Sequence, residues 1–249
     1  MDAASNSLAG RIILVTGGAR RRGAAISRHL GGRGARVIVH HRSSERAAQA
    51  LVRELPAGSL AVAGDLALAE TPARLLAALR RDEALPDAIV HAAASFVRRP
   101  LLETSAADWD AIFALNLRSF FLLAQAFAVE RGERGGALVA VGDSGALELW
   151  PSYLAHCVAK AALASLVQAL AKAMAPRYRV NAVLPGAVLP PDDASPAERD
   201  GMAARSLLGR LGDPAHVASA IELLLTDDYI TGALLPVNGG SHLWRRDGA

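Results

Sequence analysis

Seven short runs rich in Val, Ile, Leu or Ala, at 11–16, 36–41, 59–64, 87–93, 136–142, 179–184 and 233–237, recur along this chain, and each of the six gaps between them holds one longer helix-like stretch. The helix candidates are 21–32, 44–55, 72–81, 107–131, 152–175 and 214–226, with Pro or Gly punctuating several ends. Adjacent parallel strands need a crossover of a dozen or more residues, and each gap supplies one. Short runs that are apolar throughout suit strands buried on both faces. The expected architecture is a single α/β domain over residues 1–249, a doubly wound Rossmann-type parallel sheet of about seven strands with helices on both faces. No internal repeat or low-complexity segment interrupts the rhythm. One stretch, 185–206, carries four prolines and little periodicity. In a compact domain such a length reads as a lid or binding loop, or as a mobile connector.

Composition narrows the class. Hydrophobic residues make up 52% and charged residues 20% of the chain, a balance that excludes disorder and supplies a large core. The net charge of +3 is small. Arg20-Arg21-Arg22 and Arg98-Arg99 could meet phosphates locally, but no long basic stripe points to nucleic acid. Cys157 is the only cysteine, so no internal disulfide forms and a reducing, cytoplasmic location is expected. Its neighbour His156 does not make it a nucleophile, because consecutive helix residues project in different directions; packing is the expected role. Met1 to Ser7 show no basic segment followed by an apolar one, and no later run is expected to reach membrane-spanning length. His40 and His41 point to opposite faces of a strand, which defeats chelation, and no metal is expected.

The first strand candidate runs into Thr16-Gly17-Gly18-Ala19-Arg20-Arg21-Arg22-Gly23 and then a helix. Glycines there let the backbone turn sharply and approach a pyrophosphate, while the helix N-terminus offers free N–H donors and a partial positive charge. In the first βαβ unit this arrangement points to a dinucleotide. A carboxylate closing the second strand would bind the ribose of NAD. This chain instead reads His40-His41-Arg42-Ser43-Ser44, a cation and two hydroxyls suited to a 2′-phosphate, so NADP(H) is the expected cofactor.

Further along stand Asp65-Leu66, Asn116, Lys160, Pro185-Gly186, Ile230-Thr231-Gly232 and Asn238-Gly239-Gly240. With Thr16-Gly17 and Gly23, their order and spacing resemble the short-chain dehydrogenase/reductase family over nearly the whole length. Within it the chain is most similar to the pteridine reductases. There the middle glycine of the turn is an arginine, here Arg21, and the second strand ends in a His-Arg-Ser run, here His41-Arg42-Ser43. Ala94-Ser95-Phe96 resembles their Ser-Ser-Phe, whose phenylalanine stacks on the pterin, and Asp143 takes the place of their catalytic aspartate. The resemblance implies cofactor contacts at Gly17, Arg21, Arg22, Gly23, His41, Arg42, Ser43, Asp65, Leu66, Ala93, Lys160, Pro185, Gly186 and Val188. It implies catalytic roles for Asn116, Asp143, His156 and Lys160, and substrate contacts at Phe96, Asp143, Tyr153 and His156. Phe96 also reads as a plain core aromatic.

Three departures stand out. His156 replaces the family's tyrosine, His91-Ala92 replaces Asn-Asn after the fourth strand, and Asn238 replaces an aspartate near the C-terminus. Tyrosine and histidine differ in acidity by several units, so the proton chemistry does not carry over unchanged. In the family the lysine lowers the tyrosine's pKa and binds the nicotinamide ribose, and the asparagine holds a water in a proton relay. With His156 that cation opposes the imidazolium, while Asp143 beside the ring would favour it. His156 lies four residues before Lys160, on one helix face, and should reach the cavity. Tyr153, seven residues before the lysine, is the alternative proton donor, and a His156 that no longer performs chemistry is a third reading.

The expected activity is NADPH-dependent hydride transfer to a C=O or C=N group of a small substrate, a pterin-like heterocycle or another carbonyl compound such as a biosynthetic ketone. A different class also fits the motifs: a non-redox NADP-binding protein that lost the tyrosine. Helices 107–131 and 152–175 are apolar on more than one side, and the resemblance implies a homo-oligomer, tetramer or dimer, built on them.

Overall fold

A computed structural model describes residues 7–190 and 193–243, so the reading of residues 1–6 lies outside the described residues. Seven parallel strands form one sheet in the order β3-β2-β1-β4-β5-β6-β7: β1 (Ile12–Thr16), β2 (Arg36–His41), β3 (Leu60–Ala63), β4 (Ala88–His91), β5 (Gly136–Val141), β6 (Tyr178–Pro185) and β7 (Leu234–Val237). The helices are α1 (Arg21–Gly32), α2 (Glu45–Val52), α3 (Thr71–Arg81), α4 (Ala106–Phe113), α5 (Ser119–Arg131), α6 (Gly145–Glu148), α7 (Leu154–Met174), α8 (Pro196–Ala204) and α9 (Pro214–Thr226).

Side-chain alternation divides the core into two layers. Ile13, Val15, Val37, Val39 and Val139 pack with Ile26 and Leu30 of α1 and with Val217, Ile221 and Leu224 of α9. Leu14, Ile38, Ile89 and Leu138 point the other way, onto Leu76 of α3, Phe120 and Phe127 of α5, and Leu163 and Val167 of α7. This is the doubly wound fold, with both sheet faces covered. Phe120 and Phe127 are fully buried, and truncating either to alanine would cost about 3–5 kcal/mol.

Three sequence expectations need correction. The span 107–131 is not one α-helix: α4 ends at Phe113, residues Ala114–Arg118 form a π turn, and α5 comes after it. The stretch 185–206 is not wholly irregular, because α8 occupies Pro196–Ala204. Ser195 Oγ accepts the Glu198 N–H at 3.3 Å and Glu198 Oε2 accepts the Ser195 N–H at 2.8 Å, a capping box with Pro196 in the first turn. Proline there starts a helix rather than breaking one. The short α6 gave no periodic signal. Finally, two spans, Ala106–Arg134 and α7, are long and apolar enough by length and composition to cross a membrane. They are so apolar because they serve two sides, with Phe120 and Phe127 against the sheet and Phe121 and Val129 exposed.

Candidate active site

Because β1 lies between β2 and β4, the connections that leave these two neighbours run in opposite directions and open a crevice at the C-terminal edge of the sheet. Gly17, the pair Arg42 and Ser43, Asp65 and Ala93 all lie just past the C-terminal ends of β1 to β4 along this edge. Gly17 has φ +63, and a Cβ on it would lie 2.9 Å from Ala93 Cα; one on Gly23 would lie 2.1 Å from Gly17 O. Arg21 opens α1 in the left-handed region at φ 48, and its Nη2 donates to Pro190 O at 3.0 Å. Such a conformation costs a non-glycine residue about 1 kcal/mol or more. Arg20 provides no side-chain cap for α1, and the first turn holds no acid, so its N–H groups face the crevice uncapped by any side chain. Arg42 and Ser43 are exposed, Leu66 is buried, and Asp65 Oδ1 accepts the Ala67 N–H at 3.0 Å.

Two buried histidines brace this edge. The His40 ring accepts the Gly17 N–H at Nδ1 (3.2 Å) and donates from Nε2 to Gly64 O (3.1 Å), tying the turn after β1 to the end of β3. His91 joins β4 to the π turn. Ser119 Oγ donates to Leu115 O at 2.5 Å, so at 3.1 Å it accepts from His91 Nε2; Thr16 Oγ1, which accepts the Ala93 N–H, then donates to His91 Nδ1 at 2.9 Å. Both rings are therefore neutral, with the proton on Nε2. Burial agrees, pushing His40 down to about 4 and His91 down to about 3.

Asn116 sits in the π turn and is fully buried. Its Oδ1 accepts the Ser95 N–H at 2.7 Å and its Nδ2 donates to Ser95 O at 2.9 Å. The same Nδ2 lies 3.3 Å from His156 Nδ1, which is also 3.1 Å from Ser95 O. His156 Nδ1 thus has a donor and an acceptor within reach, and either ring protonation state is satisfied on that side. The other nitrogen, Nε2, is buried without a hydrogen bond and lies 3.8 Å from Asp143 Oδ2. Asp143 Oδ1 accepts the Gly145 N–H at 2.8 Å. Burial raises the Asp143 carboxyl, but His156, the Gly145 N–H and Arg22 together outweigh it and hold it below the usual carboxylate range. One turn along α7, Lys160 Nζ donates to Val141 O at 2.8 Å. Burial pushes its ammonium down to about 8, Asp143 opposing and Arg22 reinforcing.

Above this cluster lies a cavity of about 760 Å³ whose wall includes Arg22, Asp143, Phe96, Tyr153, Gly186 and Val188. His156 is only 2% exposed and is not part of that wall, contrary to the expectation that it reaches the cavity; it contacts it through Asp143 and Phe96. Phe96 is no core aromatic: it is 54% exposed, stacked on Tyr153 with centroids 4.4 Å apart and edge-on to His156 at 4.8 Å. Arg99 and Tyr153 form a β-bridge that pins the two segments together. Tyr153 is the residue before α7, not part of its helical face. Pro185 closes β6, and a Cβ on Gly186 would meet Asn238 Cβ at 2.7 Å. The remaining wall was not legible in the sequence. Glu148 accepts from Trp150 Nε1 at 2.8 Å and from Ser241 Oγ at 2.6 Å, a contact across 93 positions that no local pattern announces.

The uncapped α1 terminus, the two glycines that no side chain could replace, and the unpartnered buried His41 Nδ1 fit a nicotinamide dinucleotide, whose pyrophosphate the helix N-terminus would hold. Fold and site together define a Rossmann-type oxidoreductase. A family profile described as enoyl-(acyl carrier protein) reductase matches residues 17–242. The chain belongs to the short-chain dehydrogenase/reductase family. It is 34% identical over 245 residues to an L-rhamnose 1-dehydrogenase (NAD(P)(+)) of Azotobacter vinelandii, covering 92% of this chain and 96% of that protein. It is 33% identical over 242 residues to the L-xylulose reductase of Bos taurus, covering 94% and 97%. A dehydrogenase/reductase from Sinorhizobium meliloti 1021 superposes with a TM-score of 0.86 at 34% identity, over 95% of this chain and 97% of that one. The chain is accordingly a nicotinamide-dependent dehydrogenase or reductase acting on a carbonyl.

Proposed function

We propose that this protein is an NADP(H)-preferring reductase that delivers hydride to a C=O or C=N group of a small planar substrate, with His156 and Asp143 handling the proton. The observation that carries this reading is His156 Nε2, buried and unpartnered at 3.8 Å from the cavity-facing Asp143. A protein drifting away from chemistry has no reason to keep that pair beside Asn116 and Lys160.

NADPH, when bound, supplies the hydride. The chain's own residues do the rest. Arg42 and Ser43 receive the 2′-phosphate, the α1 N-terminus holds the pyrophosphate, and Lys160 donates to the ribose. Phe96 offers a half-exposed ring face on which a planar substrate stacks. His156, behind the cavity wall, holds a proton at Nε2 that passes to the cavity-facing Asp143 carboxylate and from there to the substrate, and Asn116 with Ser95 fixes the ring's orientation through Nδ1. Tyr153, in the cavity wall, is the alternative donor.

A panel of pterins, quinonoid dihydropterins, 2-ketoses and aldonolactones, scored by stoichiometric NADPH oxidation, tests the reading. Reduction of a pterin supports the planar-substrate form. Turnover confined to sugars favours the second reading, a sugar carbonyl, which the rhamnose and xylulose enzymes among its relatives support. NADP binding with no turnover on this panel or on an anionic 2-oxo acid such as phenylglyoxylate would favour the non-redox reading.

A further inference from the structure

The charged side chains of the cavity are unequal in an informative way. Four arginines line it, Arg22, Arg98, Arg205 and Arg210, against two carboxylates, Asp143 and Glu148. Both acids are already engaged: Asp143 by the Gly145 N–H and His156, Glu148 by Trp150 and Ser241. The cations are much less so. Arg210 donates to the carbonyl of its neighbour Leu211, while Arg98 and Arg205 are exposed. Arg22 is the deepest of the four. Its Nε is buried with no hydrogen-bond partner among the described residues, and Asp143 lowers its cost only through space. A guanidinium buried this far with only a through-space carboxylate is costly, and because Arg22 lines the cavity, an anion entering it would offset that cost through the part of the guanidinium that borders the cavity. The opposite wall is aromatic, with Phe96 edge-on to Trp150 at 6.2 Å.

We propose that the substrate carries an oxyanion, a carboxylate or a phosphate, which Arg22 receives at the cavity floor while Arg98, Arg205 and Arg210 draw it in and the ring of Phe96 holds its planar part. This rests on the reductase reading above and names the class of substrate for it. An oxyanion binds a guanidinium through paired N–H donors, and a neutral amide or ester cannot replace that contact. The relevant discrimination is therefore between an acid and its ester.

The test is calorimetric titration of phenylglyoxylate and of its methyl ester into the protein saturated with NADP+, followed by the same titrations in Arg22→Leu and Arg22→Lys. The acid is expected to bind roughly tenfold tighter than the ester or better, and more weakly as salt rises. Arg22→Leu should abolish that preference, while Arg22→Lys, which keeps the charge, should retain part of it. Equal binding of acid and ester, failure of the acid to bind, or a preference that survives Arg22→Leu overturns the proposal. So does a loss of NADP+ affinity in Arg22→Leu with the acid preference intact, because Arg22 would then serve the cofactor phosphates. Repeating the titration with phenyl phosphate in place of the acid separates the two oxyanions. The readout needs no turnover. A protein that prefers the acid yet reduces nothing contradicts the reductase reading alone; one that oxidises NADPH on neutral carbonyls and ignores the charge contradicts the oxyanion alone.

Discussion

His156 Nε2 stands 3.8 Å from Asp143 Oδ2, while Nδ1 of the same ring lies between Asn116 Nδ2 and Ser95 O. One nitrogen is fixed in place and the other has no hydrogen bond among the described residues, which is the basis for proposing that it carries the moving proton. His156→Phe should therefore lower turnover about 10²- to 10⁴-fold with NADPH affinity nearly unchanged, since the ring serves only the transition state. Steady-state kinetics beside a cofactor titration checks both halves. Wild-type rates in His156→Phe would hand the proton to Tyr153 or to water.

Arg42 and Ser43 are exposed at the end of β2, where no carboxylate competes for the ribose. NADP(H) should bind tighter than NAD(H), and Arg42→Ala should cost on the order of 1.5–3 kcal/mol of NADP(H) affinity while sparing NAD(H). Calorimetry with the four cofactor forms decides it, and equal affinities in the wild type would refute the preference.

Lys160 holds its ammonium down to about 8 through burial. The cation proposed to donate to the ribose is thus present at neutral pH and lost as pH rises through that value. Cofactor affinity measured by fluorescence should decline between about pH 8 and 9. Lys160→Met should bind weakly at every pH and show no such decline; a wild-type affinity flat to about pH 9.5 would rule the titration out.

His40 and His91 are both depressed by burial, to about 4 and about 3 against an ordinary 6.5. In the unfolded chain they take up protons as pH drops below about 6.5, whereas in the folded state they stay neutral. Their contribution to stability is complete above that pH and is lost progressively as pH falls toward 4. Denaturant midpoints should report a loss of roughly 2 kcal/mol per pH unit between about pH 6 and 4.5. His91→Asn should flatten that slope, because it removes one of the two groups.

Phe113, Leu117, Phe121 and Leu166 line an apolar groove between α4, α5 and α7 that these helices leave open. We propose that a second copy of the chain covers it, giving a dimer or tetramer. Light scattering at micromolar concentration should return a multiple of the chain mass, and Phe121→Asp should lower it by placing a charge in the contact.

The sheet could be read from the sequence because every parallel strand here is short, apolar and separated by a crossover; β2, α1 and α9 fall at the expected residues. What escaped was set by geometry rather than pattern. The joint between α4 and α5 keeps the same apolar content on both sides, so hydrophobic periodicity could not mark it. Ser195-Pro196-Ala197-Glu198 carries the capping-box signal of α8, but four prolines and weak periodicity in 185–206 outweigh it in the sequence pattern. At the site, Asp143, His156 and Lys160 were legible as a group from spacing and resemblance. His91 was legible only as a departure, since its partners Thr16 and Ser119 lie 75 and 28 positions away.

The π turn at Ala114–Arg118 makes the count of residues there as consequential as their identity. A π turn is an α-helix carrying one surplus residue, and its removal would rewind the segment and rotate α5 by about 100° relative to α4. Ser119 would then swing away from His91, or Asn116 from Ser95 and His156. A single-codon deletion in this turn would dismantle the site, while most substitutions at Ala114 or Leu117 would leave its frame in place.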